Sequence, residues 1–202
     1  MSDATAEVAA DPVAVPAPGD GELIERSLAA GESFAAIFDR HGLAVHRYLA
    51  RRVGHSLADD LTSETFLLAF RLRARYDPSQ PDARPWLFGI ATNLLHRHRR
   101  TEVRQYQAFA RTGVDPVAEP HAELVDRVAA TAASRRLAAV LAKLPATERD
   151  VLLLVAREEL SLVEVARALD IPAGTVRSRL HSARQRLRRA LADLDPSTPE
   201  EH

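Results

Sequence analysis

Apolar residues recur every three or four positions along most of this chain, which is the period of a helix with one buried face. Phe34, Ile37 and Phe38, then Val45, Leu49 and Val53, predict one or two amphipathic helices within residues 22–53. Gly54-His55-Ser56 reads as a break. A new helix is predicted over 57–75, with Leu61, Phe66, Leu68, Ala69 and Leu72 apolar, and residues 76–81 (YDPSQP) form a loop by composition. Pro85 fits the first turn of a helix running to about residue 104, with Trp86, Leu87, Ile90, Leu94 and Leu95 facing inward. Further helices are predicted over 133–144 and 145–159. No segment has the period of a strand and none repeats.

The stretch 160–191, LSLVEVARALDIPAGTVRSRLHSARQRLRRAL, predicts two short helices joined by a tight turn. Ser161 and Glu164 have the spacing of a capping box, in which each side chain bonds the other residue's backbone N–H at a helix start. Proline disfavours helical geometry in the residue before it, so Asp170-Ile171-Pro172 ends the first helix. The second carries Val176, Leu180, Ala183, Leu187 and Leu191 on one face. Arg177, Arg179, His181, Arg184, Arg186, Arg188 and Arg189 occupy the others. No acidic residue lies between Ile171 and Ala192. A solvated helix face normally mixes signs. A helix-turn-helix with one apolar and one cationic side suits a duplex, its second helix in the major groove.

Charge changes the picture only when it is mapped. The net charge of −1 over 202 residues is no signature of a polyanion binder. Yet residues 1–25 hold six acids and no base, whereas 96–111 hold Arg97, Arg99, Arg100, Arg104 and Arg111 against Glu102 alone. Local fields, not the sum, steer a polyanion. Residues 1–21 read as a disordered acidic tail, being Ala/Pro/Asp-rich without periodicity. Residues 112–126 hold two prolines, four acids (Asp115, Glu119, Glu123, Asp126) and no Lys or Arg, the composition of a flexible linker. The predicted fold is therefore all-α: two small helical domains at 22–104 and 133–194, a flexible acidic linker over 105–132, a helix-turn-helix in the C-terminal domain, and a tail from 195. With no cysteine there is no disulfide or thiolate metal site. The absence of a basic n-region and of a long apolar run predicts a cytoplasmic protein that does not meet the membrane.

Three motifs in order resemble the extracytoplasmic-function (ECF) sigma factors, the two-domain branch of the sigma-70 family. Asp59-Asp60-Leu61-Thr62-Ser63-Glu64-Thr65-Phe66 is similar to region 2.2. Arg84-Pro85-Trp86-Leu87-Phe88-Gly89-Ile90-Ala91-Thr92-Asn93 is similar to regions 2.3 and 2.4. Leu144-Pro145, followed by Gly174-Thr175-Val176-Arg177-Ser178-Arg179-Leu180, is similar to region 4. The resemblance implies an RNA polymerase sigma factor that directs initiation and is not itself an enzyme. Its implied partners are core RNA polymerase (β′ clamp helices and β flap), promoter DNA and an anti-sigma factor; it implies no cofactor and no metal. By position, Thr175, Arg177, Ser178, His181 and Arg184 would meet the −35 element. Trp86, Asn93, Arg97, Arg99 and Arg100 would serve the −10 element, where melting needs a place for an unpaired base. Asp60, Leu61, Glu64 and Thr65 match the polymerase-binding surface, and the linker acids match a path toward the polymerase active site. The chain departs from the family at Ser63, often glutamine, at Gly89, often basic, and at Ser182, often arginine.

Two rival readings remain at this level. A LuxR-type helix-turn-helix activator would carry a receiver or ligand domain first, and the N-terminal half has no strand pattern for one. A metal-dependent nuclease would need clustered ligands. His96 and His98 diverge around a helix, His41 and His46 lie off one face, and Asp59-Asp60 has no histidine at ligand spacing.

Overall fold

The computed structural model describes residues 18–113 and 124–192. Among them the chain is all-α, as the periodicity predicts, with helices α1 (Asp20–Arg26), α2 (Ala35–Val53), α3 (His55–Leu72), α4 (Arg84–Leu95), α5 (Arg99–Thr112), α6 (Leu124–Lys143), α7 (Ala146–Ala156), α8 (Leu162–Leu169) and α9 (Ala173–Ala192).

In the N-terminal module α2 and α3 form a hairpin, and α4 packs against both. Gly54 makes the corner: its φ of 83° belongs to the left-handed region, and its N–H caps α2 by donating to the Ala50 carbonyl at 2.8 Å. The helix predicted from Pro85 to residue 104 is instead two helices. A 3₁₀ turn at His96–His98 separates α4 from α5, which runs on to Thr112. Helix α1 begins inside the span read from sequence as a disordered tail, of which residues 1–17 lie outside the described residues. Asp20 opens α1 and is buried; its carboxylate accepts from Arg40 at 3.0 Å, His41 at 2.6 Å and the Ala83 backbone at 2.9 Å. One side chain thus ties α1 to α2 and to the entrance of α4, so Asp20 and Gly21 belong to the folded module and not to a tail.

In the C-terminal module α7, α8 and α9 enclose Val151, Leu154, Val165, Val176, Leu180 and Ala183, all buried. The capping box of α8 is present: Ser161 Oγ accepts from the Glu164 N–H at 3.3 Å, and the Glu164 carboxylate accepts from the Ser161 N–H at 2.7 Å. Asp170, in left-handed geometry at φ 51°, closes it.

The two modules are packed together. α6 lies along α5, α8 sits on α4, and the apolar cores join into one cluster. α5 and α6 extend well into the span assigned from sequence to a linker. Asp115, Glu119 and Glu123 lie outside the described residues, and Asp126 falls within α6.

Candidate nucleic-acid interface

The cationic face of α9 is built by its own periodicity. Val176, Leu180 and Ala183 are buried against α7 and α8, which turns Arg177, Ser178, His181, Arg184 and Arg188 outward. Arg177, His181, Arg184 and Arg188 step by four, three and four residues, so they form one stripe about three turns long. Thr175 is half-buried in the first turn, where its N–H donates to the Pro172 carbonyl at 2.8 Å. Not every arginine on this helix is available: Arg186 reaches back to Glu148 on α7 at 3.1 Å.

A second basic surface lies at the α4–α5 junction. Asn93, Arg97, Arg99 and Arg100 are exposed, and Arg99, Arg100 and Arg104 surround Val103 in a shallow depression. The 3₁₀ turn separates Arg99 and Arg100 from the helix that carries Asn93. Arg97 stands 3.5 Å from Glu64 on α3, so this surface borders the acidic side of the hairpin.

Trp86 is half-buried at the other end of α4, tilted against Tyr76 with ring centroids 5.0 Å apart. Beside it lies a cavity of about 150 Å³ lined by Tyr76, Asp77, Gln80, Asp82, Trp86 and Arg167, among others. Burial, then the nearby carboxylates of Asp20, Asp82 and Asp77, push the Tyr76 hydroxyl up to about 12. It therefore stays protonated, and it donates to the Gln80 carbonyl at 3.0 Å. An aromatic wall with polar groups around it is the chemistry that holds a planar base.

On α3 the four expected polymerase-facing residues divide. Asp60 and Glu64 are exposed and share a face, next to exposed Leu67 and to Asp59, which pairs with His46 at 2.8 Å. Leu61 and Thr65 are buried in the module core, and the Thr65 hydroxyl donates to the Leu61 carbonyl at 2.6 Å. The packing of α3 in the module thus leaves Asp60 and Glu64 on the surface and takes Leu61 and Thr65 inside.

Sequence reasoning missed what lies between the modules. Arg52 (α2), Glu102 (α5), Arg149 and Asp150 (α7) are all buried, two cations and two anions in one network. Arg52 pairs with Glu102 at 2.6 Å and with Asp150; Arg149 donates to both Glu102 oxygens at 3.1 and 2.9 Å. Arg149 also donates to the Leu141 and Leu144 carbonyls, at 2.7 and 3.3 Å, which caps the end of α6. His96 reaches Asp150 at 3.0 Å. Burial alone would raise the Asp150 carboxyl, but the Arg52 charge and hydrogen bonds from His96 and Arg52 outweigh it and hold it below the ordinary carboxylate value. The one available signal was Glu102, a lone acid in a basic run.

A helical module built on a hairpin, packed against a helix-turn-helix with a cationic outer face, is the architecture of a sigma-70-type initiation factor. Residues 37–105 match Sigma-70 region 2 and residues 140–189 match Sigma-70, region 4. The chain is 30% identical over 171 residues to the ECF RNA polymerase sigma factor SigW of Bacillus subtilis, covering 81% of this chain and 91% of that one. It is 33% identical over 191 residues to the RNA polymerase sigma factor CnrH of Cupriavidus metallidurans, covering 88% and 97%. The fold is similar to that of CnrH solved in complex with the cytosolic domain of CnrY, with a TM-score of 0.61 and 25% identity over 87% of this chain and 98% of that one. This chain belongs to the ECF branch of the sigma-70 family of RNA polymerase sigma factors. That membership sets aside the LuxR-type reading. Among the described residues no helix is long and apolar enough to cross a membrane.

Proposed function

We propose that this protein binds core RNA polymerase and directs it to promoters, and that it has no catalytic activity of its own and works in the cytoplasm. The exposed cationic stripe on α9, held outward by the apolar face beneath it, is the single observation that carries the DNA-reading half of this function. Arg177, His181 and Arg184, with Ser178 and Thr175, read the −35 element in the major groove; arginine pairs bidentately with guanine or clamps phosphate. Arg97, Arg99 and Arg100 hold the backbone at the −10 element. Asn93, exposed, offers a paired donor and acceptor to an extruded base, and the cavity walled by Trp86 and Tyr76 supplies stacking. Asp60 and Glu64 face the basic side of a polymerase partner. The working units are the region 2 module and the region 4 module, with residues 114–123 between them. An anti-sigma factor is a further partner for such a chain; its relative CnrH forms a complex with the cytosolic domain of another protein, CnrY.

Reconstitution tests this directly. Full-length protein added to core polymerase should yield specific transcripts without another sigma factor. Tight binding to duplex DNA alone, with no transcripts on addition of core enzyme, would refute the assignment.

A further inference from the structure

Two residues at the start of α1 hold a wall of the cavity beside Trp86. That wall is the irregular segment 76–83, whose Tyr76, Asp77, Gln80 and Asp82 line the cavity together with the indole. Bonds within the segment shape its turn: the Ser79 N–H and the Gln80 amide each donate to the Asp77 carboxylate at 3.0 Å. Two contacts with α1 fix the turn to the module. The first is at Ala83, whose N–H donates to the Asp20 carboxylate at 2.9 Å across 63 positions of sequence. Ala83 is buried and immediately precedes α4. A donor at a helix start has no carbonyl partner within its own helix, and a buried one left unpaired is costly. Asp20 meets that need from another helix, and its charge suits the positive end of α4. Arg40 and His41 of α2 grip the same carboxylate at 3.0 and 2.6 Å and fix its aim. The second contact is steric. A Cβ built on Gly21 would lie 2.2 Å from the Pro78 carbonyl oxygen and 3.0 Å from its carbonyl carbon, so the two backbones touch there as only glycine allows.

We propose that Asp20 and Gly21 are positioning residues for base capture: they clamp segment 76–83 at Ala83 and at Pro78, and so keep the Trp86 cavity in the shape that receives an extruded base. The role in opening the duplex rests on the function proposed above; the clamp itself does not. Capture needs the wall in place beforehand, because ordering a loose loop as the base arrives costs conformational entropy that counts against binding. Neither residue touches the base; both act through the segment. A carboxylate facing DNA would repel it, but Asp20 is only 5% exposed and its charge is answered by Arg40. It belongs to the support of the cavity and not to its lining.

Trp86 is the sole tryptophan of the chain, so its fluorescence in the free full-length protein reads the cavity directly. Asp20→Ala and Gly21→Ala should each shift the emission to the red and raise acrylamide quenching, with helix content by circular dichroism unchanged. Gly21→Ala favours the α1 helix intrinsically and removes no hydrogen bond, so a loosened wall in that variant is steric in origin. Glu22→Ala, exposed and paired with Arg26 on its own helix, should leave both readings at the parent values. In holoenzyme, on a promoter found with the parent protein, both clamp variants should slow permanganate-detected opening at unchanged closed-complex affinity. The expected slowing is about tenfold, the scale of one charge-assisted hydrogen bond. In a Trp86→Ala background the further loss should be smaller, since the residues act through one cavity. Parent-like quenching in both clamp variants would overturn the clamp. Raised quenching with parent-like opening, or losses that add in full to that of Trp86→Ala, would overturn the positioning role. The fluorescence needs neither polymerase nor DNA, so a parent protein that makes no transcripts refutes the function proposed above while the clamp is judged on its own reading.

Discussion

Arg52 and Asp150 form an ion pair across the seam between the modules although 98 residues separate them along the chain. Both are buried to within 2% of complete exclusion from solvent. Such a pair is costly to desolvate and costlier to break. Removing one partner leaves the other charge buried and unpaired, which typically costs about 3–5 kcal/mol. Asp150→Ala should therefore lower unfolding free energy by about that amount in urea titrations. Arg186→Ala, which removes an exposed partner of Glu148, should cost about 1 kcal/mol or less. Equal losses for the two variants would contradict the burial described.

Acid should act on the same seam. The Asp150 carboxyl is held below its ordinary value of 3.8, and so is that of Asp20, where hydrogen bonds from the Ala83 backbone and Arg40 outweigh burial. A depressed folded-state pKa contributes stability that is present above the unfolded value and is lost as pH falls through the folded one. Stability from these groups should be flat from neutral pH down to about 4 and fall below it. Asp150→Asn should flatten part of that acid limb in denaturant midpoints measured against pH, leaving the part that belongs to Asp20.

The α9 stripe predicts a salt response. Log affinity for promoter duplex should fall linearly with log salt, and Arg177→Ala and Arg184→Ala should each reduce the slope by about 1 if they neutralise phosphates. If either instead reads a guanine, the slope stays and discrimination at that base pair drops by about 1–3 kcal/mol. Fluorescence anisotropy across a salt series on matched and mutated sites separates the outcomes. No change in slope or in discrimination would remove that arginine from the interface.

Asn93→Ala is expected to slow open-complex formation more than closed-complex binding, because its amide has a base edge to meet only after the duplex parts. Permanganate reactivity of unpaired thymines, compared with footprinting of the closed complex, measures the two steps. Equal loss at both steps would place Asn93 among the duplex contacts.

Ser161→Ala deletes one half of the α8 capping box and should cost about 1 kcal/mol. The cost should be visible as a lowered midpoint in thermal unfolding.

Much of this was legible in the chain. The helix-turn-helix, its cap, the end of its first helix before Pro172 and the outward stripe all follow from local spacing, because each is decided within a few residues. The 3₁₀ turn at His96–His98 was not legible: residues 96–102 (HRHRRTE) hold no apolar position to mark a change of helix axis, and no proline or glycine marks a break. The burial of Leu61 and Thr65 was not legible for a related reason, since a motif fixes which residues recur but not which face each one takes. The network of Arg52, Glu102, Arg149 and Asp150 was invisible because charged residues on amphipathic helices read as solvated surface. Only the meeting of three helices, α2, α5 and α7, turns them inward. Gly89 was noticed as a departure, and its reason is a backbone contact 79 positions away.

That one missing methyl group fixes how near two helices from opposite ends of the chain can come. Any side chain at position 89 would have to push the Ala168 carbonyl aside, so the identity of a single residue in α4 sets the seat of α8.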